Sequence, residues 1–255
     1  MPIKKMQLQF HCKKEIAPNV QHLHFYPIYA GESEANKESF DFIPGQFITL
    51  LLEHPDGVKR RSYSIATIPG NNGIEFAVSY VKDGIASKLL FNLKPNDTIN
   101  AIGPAGKLVL KQDDIDCKRY ILVGTGTGIA PYRAMLPEIK HRLDKDPDFK
   151  VDLVFGAQKR ENLFYIEDFL QLANSEPRFN VHAQLSRMNS EKDNLKPHEY
   201  IGYAQSAFER LNLNPQQDII YLCGNPDMID DSFDILTAEG FETGKIRREK
   251  YISSN

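Results

Sequence analysis

The chain has 255 residues, which is long for one compact domain and suits two. Its 31 basic and 34 acidic side chains leave a net charge of −3, so composition does not favour a nucleic-acid partner. No apolar run approaches the ~18 residues that a membrane helix needs, and the amino terminus has no apolar region typical of a secretion signal.

The cysteine and tryptophan content limits which cofactors the chain can hold by itself and which side chains can stack on an aromatic ligand. The three cysteines, Cys12, Cys117 and Cys223, are widely separated. They exclude a disulfide framework, and they exclude an iron–sulfur cluster held by this chain alone, which requires four thiolates. A reducing compartment, most simply the cytoplasm, is therefore expected. The chain contains no tryptophan, so any flat aromatic ligand must stack on Tyr or Phe.

Short strands separated by Pro and Gly are predicted up to about residue 111. The clearest lie at residues 46–52, 61–66, 74–81 and 98–102, which are rich in β-branched and aromatic side chains. One short helix is predicted at residues 87–92, with Ser87 as its N-cap. This pattern predicts a closed antiparallel β-barrel domain over residues 1–112.

Strands and helices alternate from residue 118 onward. Strands are predicted at residues 120–123, 151–155, 181–185 and 219–223, and helices at 132–143, 166–173, 204–211 and 228–239. Such alternation produces βαβ crossovers, and it predicts an α/β parallel-sheet domain over residues 117–255. The acidic stretch at residues 112–116 is interpreted as the linker, and the charged segment at residues 188–199 as a loop.

A glycine-rich segment, GTGTGIAP at residues 124–131, follows an apolar strand and opens a helix. Glycines let the backbone approach a phosphate, and a helix amino terminus offers free N–H groups. Pro131 suits the first helical turn because it has no N–H to satisfy. A tight turn without a ligand is the alternative, but three alternating glycines in this setting favour phosphate binding.

The segment matches neither of two common nucleotide motifs. The dinucleotide fingerprint requires an acid after the next strand, where this chain has GAQKR at residues 156–160. A P-loop would end in Gly-Lys-Ser/Thr. An ordinary NAD dehydrogenase is therefore disfavoured.

A polar segment, RSYS at residues 61–64, lies on a predicted strand of the first domain. Alternation places Arg61 and Tyr63 on one face and Ser62 and Ser64 on the other. Residues 84–87 (GIAS) open the short helix and offer a second position for an anion. Each segment alone also fits a purely structural role, whereas one such helix start in each domain fits two phosphate-bearing cofactors.

These motifs, in this order, resemble the ferredoxin–NADP(H) reductase family of flavoproteins. The match includes PGQF at residues 44–47, LKPND at 93–97, GPAGK at 103–107 and CGNPDM at 223–228, and it covers nearly the whole chain. The resemblance implies an FAD-binding β-barrel followed by an NADP-binding α/β domain.

The resemblance also assigns roles in the first domain. It implies that Arg61 pairs with the FAD pyrophosphate, that Tyr63 stacks on the isoalloxazine, and that Ser64 lies beside flavin N5. The other implied FAD contacts are Ser62, Tyr80, Val81, Gly84, Ala86 and Ser87.

Roles in the second domain concern the nicotinamide. The resemblance implies that Cys223 abuts this ring, although a Cys ending a buried strand also fits as an apolar filler. Tyr251 resembles the aromatic residue that covers the flavin, with a surface tail as the alternative, since the chain continues to Asn255 and displaces the terminal carboxylate. We expect Tyr251 to act as a gate, and we hypothesise that Glu249 relays a proton toward Ser64.

The 2′-phosphate distinguishes NADP from NAD. Ser186 and Arg187 resemble the pair that binds it, and arginine suits a phosphate dianion, so NADP(H) is favoured. The remaining implied nucleotide contacts are Thr127, Gly128, Pro131, Tyr203, Gln205, Gly224, Asn225, Pro226 and Met228.

The implied reaction is reversible hydride transfer between nicotinamide C4 and FAD N5. FAD then passes single electrons to a separate ferredoxin or flavodoxin. No metal site is predicted. The alternatives are an NADH-dependent reductase component of a multicomponent oxygenase, an electron-transfer subunit of a larger complex, and a non-catalytic nucleotide-binding or regulatory module.

Overall fold

The computed structural model describes residues 3–37, 40–111, 114, 116–189 and 194–251. Contacts between Cα atoms divide the chain into two compact units. The first unit comprises Met1–Leu110 with Ala130–Pro137, and the second comprises Lys111–Ile129 with Glu138–Ser254. Most of the predicted linker, namely residues 112, 113 and 115, lies outside the described residues.

The first unit is an antiparallel sheet with one short helix. Its elements are β1 (Lys4–Ala17), β2 (Val20–Tyr29), β3 (Phe47–Leu52), β4 (Lys59–Ser64), β5 (Ile74–Ser79), α1 (Ile85–Phe91) and β6 (Thr98–Ala105). The six strands lie in the order β4-β3-β6-β1-β2-β5. The N–H of Ala66, just after β4, donates to the carbonyl of Glu75 in β5 at 2.8 Å, so the two outer strands meet. The predicted antiparallel barrel fold is confirmed.

The core of this unit lies on one face of each strand. On β1, Leu8 and Phe10 are buried while the residues between and beyond them are more exposed, and β2 buries Leu23 and Phe25 in the same way. Burial thus alternates with a period of two residues, as in a sheet that has one face exposed to solvent. The strands predicted near residues 46–102 are present, but β1, at 14 residues, is not a short strand as expected.

The start of α1 differs from the prediction. Gly84, not Ser87, is the N-cap, so the assignment of Ser87 as the cap was wrong. The Ser87 hydroxyl lies inside the first turn and donates to the carbonyls of Val81 and Gly84 at 2.8 and 3.1 Å. The helix begins at Ile85, two residues earlier than predicted.

The second unit contains a parallel sheet flanked by helices. Its strands are β7 (Arg119–Thr125), β8 (Lys150–Ala157), β9 (Phe179–Leu185), β10 (Glu199–Ile201), β11 (Asp218–Gly224) and β12 (Ile246–Lys250), in the order β10-β9-β8-β7-β11-β12. All five pairings are parallel, which confirms the α/β prediction. The helices are α2 (Ala130–Lys145), of which only residues 138–145 belong to this unit, α3 (Ile166–Ser175), α4 (Ala207–Leu211) and α5 (Pro226–Ala238). None of the helices in the described ranges is long and apolar enough to cross a membrane.

Three features of this unit were not predicted. The edge strands β10 and β12 are short, and β12 buries only Ile246, so neither shows a clear apolar pattern. The helix predicted at residues 204–211 begins as a 3-10 turn, Ala204–Ser206, before α4. Asp114, assigned to a solvated linker, is half-buried, pairs with Arg247, and accepts a hydrogen bond from Tyr120 at 3.1 Å.

A charged cluster stabilises the first unit near the end of its sheet. The Glu75 carboxylate accepts a 2.8 Å hydrogen bond from Arg133, and His22 lies 3.6 Å away. Arg133 also donates to the carbonyl of Ala66 at 2.8 Å. Burial acts to raise the pKa of Glu75, but its partners His22 and Arg133 outweigh burial and lower that pKa to about 2.

We expect Glu75 to make the stability of the first unit sensitive to acid. A carboxylate whose pKa falls from 4.5 to about 2 on folding stabilises the folded state above pH 4.5, and that stabilisation is lost as pH falls through 2. Urea unfolding should show Glu75→Gln about 3 kcal/mol less stable than the natural chain at pH 7. This difference in unfolding free energy should shrink toward zero as pH falls from 4.5 to 2, because Glu75 becomes protonated over that range.

The exposed Glu53 provides a control, because Glu53→Gln should leave the unfolding free energy within about 0.5 kcal/mol at every pH. A Glu75→Gln difference that stays constant across this pH range would contradict the assignment.

Candidate functional site

Four predicted flavin-binding residues are consecutive on β4. Tyr63 is partly buried against the core, with its ring centroid 6.0 Å from that of Phe76. Burial raises the pKa of Tyr63 to about 12 despite the nearby charge of Arg61, so its phenol is neutral at physiological pH. Ser64 is buried, whereas Ser62 is exposed, with its hydroxyl 2.9 Å from that of Thr49.

The segment between β5 and α1 carries the other predicted flavin contacts. Tyr80 and Val81 are 40% and 45% exposed, which is unusual for large apolar side chains. Tyr80 packs edge-on against Phe91 at 5.3 Å. The N-cap residue Gly84 supplies no side-chain hydrogen bond to the first turn of α1, and Ala86 is buried. An apolar surface beside an uncapped helix start fits a ligand with an aromatic part and a phosphate part, as FAD has.

Ser87 is the exception among these residues. It is 3% exposed, and its hydroxyl is already bonded to the carbonyls of Val81 and Gly84. The side chain therefore shapes the turn in this conformation instead of facing a ligand. A cleft of 690 Å³ borders the same helix, but its walls, which include His54, Lys88 and Leu89, contain none of the predicted flavin contacts.

In the second unit, the glycine-rich segment is packed directly against the end of β11. A Cβ on Gly128 would lie 2.2 Å from the carbonyl oxygen of Cys223 and 2.7 Å from Cα of Gly224. Gly224 has φ +125°, and its own Cβ would lie 2.5 Å from Thr125. Gly126 has φ +53° and open space around it. Part of the glycine pattern is therefore explained by contact between two backbones.

Predicted nicotinamide contacts converge where β7, β11 and β12 end. Cys223 is fully buried and pairs in register with Glu249. The N–H of Tyr251 donates to the carbonyl of Gly224 at 3.0 Å, and its hydroxyl donates to the carbonyl of Thr127 at 3.2 Å. Tyr251 is half-buried and held on both sides, so the alternative of a loose surface tail does not describe it.

The Cys223 thiol is held in its protonated form. Burial raises its pKa, and the nearby carboxylate of Glu249 raises it further, while a hydrogen bond with Tyr251 acts in the opposite direction. A neutral thiol of this kind is a poor nucleophile. Cys223 therefore presents a small neutral side chain at this position.

The segment after β11 builds the start of α5. Oδ1 of Asn225 accepts hydrogen bonds from the N–H groups of Asp227 and Met228 at 2.7 and 3.3 Å, and Pro226 occupies the first turn. The N–H of Asn225 donates to the hydroxyl of Thr125 at 3.0 Å. Asn225 and Pro226 thus have capping roles, and Met228 is buried beneath the helix. Pro131 has the same first-turn role in α2.

The predicted 2′-phosphate residues lie beside the carboxyl end of β8. The N–H of Ser186 donates to the carbonyl of Ala157 at 3.0 Å, and that of Arg187 donates to the carbonyl of Gln158 at 2.8 Å. Arg187 is exposed and forms an ion pair with no carboxylate among the described residues. An exposed guanidinium here, without an acid at the end of β8, is the charge pattern that a phosphate prefers.

Two further predicted contacts lie at the turn before α4. Tyr203 is 71% exposed, as an aromatic ring that stacks on a ligand would be. The amide nitrogen of Gln205 donates to Asp231 at 3.1 Å, while its buried Oε1 has no partner among the described residues. Both side chains are therefore consistent with contacts to a bound nucleotide.

Gln184 on β9 was not identified from the sequence. It is 1% exposed, and neither atom of its amide has a hydrogen-bond partner in the described part of the chain. Its Oε1 lies 3.9 Å from where a Cβ on Gly202 would be, just before Tyr203. An unpaired buried amide costs about 1–3 kcal/mol, so it fits a site that is completed by a polar ligand. The sequence did contain a signal for this residue, because Gln184 is a polar residue in the otherwise apolar carboxyl end of β9.

Comparison with known proteins identifies a family model for each part of the chain. The model described as "Oxidoreductase FAD-binding domain" matches residues 7–110. The model described as "Oxidoreductase NAD-binding domain" matches residues 122–233.

Curated relatives include two kinds of reductase. The chain is 31% identical to ferredoxin–NADP reductase B of Sorangium cellulosum over 175 residues, which are 68% of this chain and 67% of that protein. It is 27% identical to the toluate 1,2-dioxygenase electron transfer component of Pseudomonas putida over 238 residues, 92% of this chain and 66% of that protein. The chain thus spans about two thirds of these relatives, and it spans less than half of several others.

A solved structure shares the fold. A ferredoxin NADP+ reductase from Neisseria gonorrhoeae with bound FAD and NADP superposes with a TM-score of 0.79 and 23% identity. The superposition covers 98% of this chain and 99% of that one.

The close packing around Gly128 predicts that one added methyl group at this position destabilises the fold. Because the added Cβ meets backbone and not a flexible side chain, Gly128→Ala should lower the free energy of unfolding by about 1–3 kcal/mol and displace Thr127 from Tyr251. Gly126→Ala should cost about 1 kcal/mol through its left-handed backbone alone.

Gly244 is the matched control, because its Cβ would meet nothing within 4 Å. Urea unfolding should find Gly244→Ala within about 0.5 kcal/mol of the natural chain. Equal stability of the Gly128→Ala and Gly244→Ala variants would show that the contact is not tight.

Proposed function

The chain belongs to the ferredoxin–NADP(H) reductase family of FAD-dependent oxidoreductases, and on that basis we propose that it transfers electrons from NADPH, through FAD, to a ferredoxin or flavodoxin. The observation that carries the proposal is the convergence of Thr127, Cys223, Glu249 and Tyr251 at the carboxyl ends of three parallel strands. Ligands of open α/β sheets bind at these strand ends.

FAD binding is assigned to the first unit. The Arg61 guanidinium binds the pyrophosphate, and the neutral Tyr63 phenol provides a flat surface for the isoalloxazine. The exposed Tyr80 and Val81 extend the apolar surface that such a ring would cover. The buried side chain of Ser64, at the end of β4, is assigned the position beside flavin N5. Bound FAD supplies the exchange between a two-electron hydride donor and a one-electron acceptor.

The residues at the strand ends of the second unit orient the nicotinamide and exclude water. Cys223 contributes a small neutral surface, since its thiol stays protonated. Tyr251 covers the site through hydrogen bonds that can break and re-form, and so acts as a gate. The Glu249 carboxylate, in register with Cys223, is assigned to the relay of a proton at these strand ends.

Preference for NADPH is assigned to Ser186 and Arg187. The exposed guanidinium pairs with the 2′-phosphate, and Tyr203 stacks on the adenine. Both amide atoms of Gln184 and the amide oxygen of Gln205, which have no partner among the described residues, gain hydrogen bonds from the bound nucleotide. Gln184, Ser186 and Arg187 lie at or directly after the end of β9.

A second candidate function is an NADH-dependent reductase that serves an oxygenase. Similarity to the toluate 1,2-dioxygenase electron transfer component favours it. The two candidates share FAD and differ in nucleotide and electron acceptor. Three free cysteines are consistent with a reducing compartment for either function, and we assign the chain to the cytoplasm.

Substitution of Arg187 tests the preferred function. With ferricyanide as the one-electron acceptor, Arg187→Leu should lower kcat/KM for NADPH about 10- to 100-fold, the equivalent of one charge-assisted hydrogen bond. The value for NADH should change less than about threefold, because NADH has no 2′-phosphate for Arg187 to bind.

Lys145→Leu provides the charge-matched control, since Lys145 is an exposed cation at the end of α2. It should leave both values unchanged. Equal losses with NADPH and NADH in Arg187→Leu would contradict the assigned role, and a natural chain that prefers NADH would favour the second candidate.

A further inference from the structure

Three side chains with metal-binding atoms lie together on the first unit. They are His11 and Cys12 on β1 and His24 on β2. The ligand atom that each offers lies within 4.8 Å of the other two. None of the three belongs to the residues assigned to FAD or the nicotinamide nucleotide, so the cluster is independent of the proposed function.

An irregularity in the β1–β2 pairing brings the ligands together. Phe10 pairs with Phe25, but the next pair is Cys12 with His24, so His11 is an extra residue in β1. Adjacent residues of a regular strand face opposite sides of the sheet, whereas a bulge redirects side chains. Accordingly Phe10 is buried while His11 and Cys12 are both exposed, on the side of their partner His24.

His24 is already held in the form that binds a metal. Its Nε2 lies 3.0 Å from the carbonyl oxygen of Asn72, which can only accept, so Nε2 carries the proton. The lone pair is therefore on Nδ1. Metal-bound histidines commonly donate their second N–H to a backbone carbonyl in this way. The turn fits closely here, since a Cβ on Gly73 would lie 2.5 Å from the same nitrogen.

Aromatic packing restricts the rotamers of both imidazoles. The ring of Tyr26 lies 5.1 Å from His11 and 4.8 Å from His24, centroid to centroid. The two imidazoles are 5.3 Å apart and nearly perpendicular. These contacts reduce the side-chain entropy that metal binding must overcome.

The donor set determines the kind of ion. Two imidazoles and one thiolate suit zinc and similar thiophilic transition-metal ions, whereas magnesium and calcium require oxygen ligands. Zinc bonds of about 2.0 Å to nitrogen and 2.3 Å to sulfur place tetrahedral ligand atoms roughly 3.3–3.6 Å apart. Small side-chain rotations would bring the present separations into that range.

We propose that His11, Cys12 and His24 form a binding site for one zinc-class ion, with water as the fourth ligand. Binding replaces the thiol proton of Cys12 with a sulfur–metal bond and releases the proton to solvent. The ion joins β1 to β2 at the bulge and stabilises the first unit. It also protects Cys12, the exposed one of the three cysteines, from oxidation.

Cobalt is the probe, because it replaces zinc and reports thiolate ligation by a charge-transfer band in the near ultraviolet. The untagged full chain, freed of metal by a chelator, should bind one Co²⁺ with this band in the difference spectrum. One equivalent of Zn²⁺ should abolish the band and raise the unfolding temperature. Cys12→Ser should remove the band and weaken binding more than about 100-fold, and His24→Asn at least tenfold.

Two matched variants control for other thiols and imidazoles. Cys117→Ser removes a buried thiol, and His141→Asn removes an exposed imidazole on α2. Both should retain the band and the affinity of the natural chain. No band in the natural chain, or an unchanged band in Cys12→Ser, would overturn the proposal. The assay uses no nicotinamide nucleotide, so its outcome is separate from that of the proposed function.

Discussion

The second unit depends on one contact between two stretches of backbone. The turn that follows β7 lies so close to the end of β11 that a single methyl group on Gly128 would overlap the Cys223 carbonyl. This closeness brings the Thr127 carbonyl within reach of the Tyr251 hydroxyl. A bulkier residue at position 128 would separate the strand ends and the side chains that they present. The glycine motif is therefore required for this backbone contact, apart from any role in binding a ligand.

Burial explains why the roles proposed for two reactive side chains depend on their position. It keeps the Tyr63 phenol and the Cys223 thiol neutral, so neither is poised as a charged nucleophile or base at neutral pH. Cofactor-dependent oxidoreductases need such surfaces, because the cofactors supply the chemistry and the protein supplies orientation. Arg187, by contrast, is exposed, and the buried amide of Gln184 has no hydrogen-bond partner in the described part of the chain. These groups are suited to recognise a charged, polar nucleotide.

Local patterns in the sequence predict most of the fold. Strands β3, β7, β8 and β11 carry clear apolar runs, and the alternation of strands and helices predicts the parallel sheet. The edge strand β12 was missed because it buries one side chain, and the Ser87 cap was misassigned because its hydroxyl bonds backward within the turn. The order of the motifs along the chain predicts the family better than any single motif does.

Features that depend on pairing between strands could not be predicted. The grouping of His11, Cys12 and His24 results from a bulge, and neither β1 nor its register was predicted. The unpaired state of Gln184 likewise follows from the packing around Gly202 and is not a property of β9 alone. A local pattern reports which face of a strand is buried. It does not report which residues of a neighbouring strand lie opposite.

The central claim is that this chain moves electrons from a nicotinamide nucleotide onto bound FAD. The most direct measurement is the visible absorbance of the full chain, loaded with FAD, during anaerobic addition of NADPH. The account predicts that the chain retains FAD and that the flavin bands bleach with one NADPH consumed per FAD, because each carries two electrons. A chain that takes up no FAD, or a bound flavin that stays oxidised in excess NADPH and NADH, would contradict it.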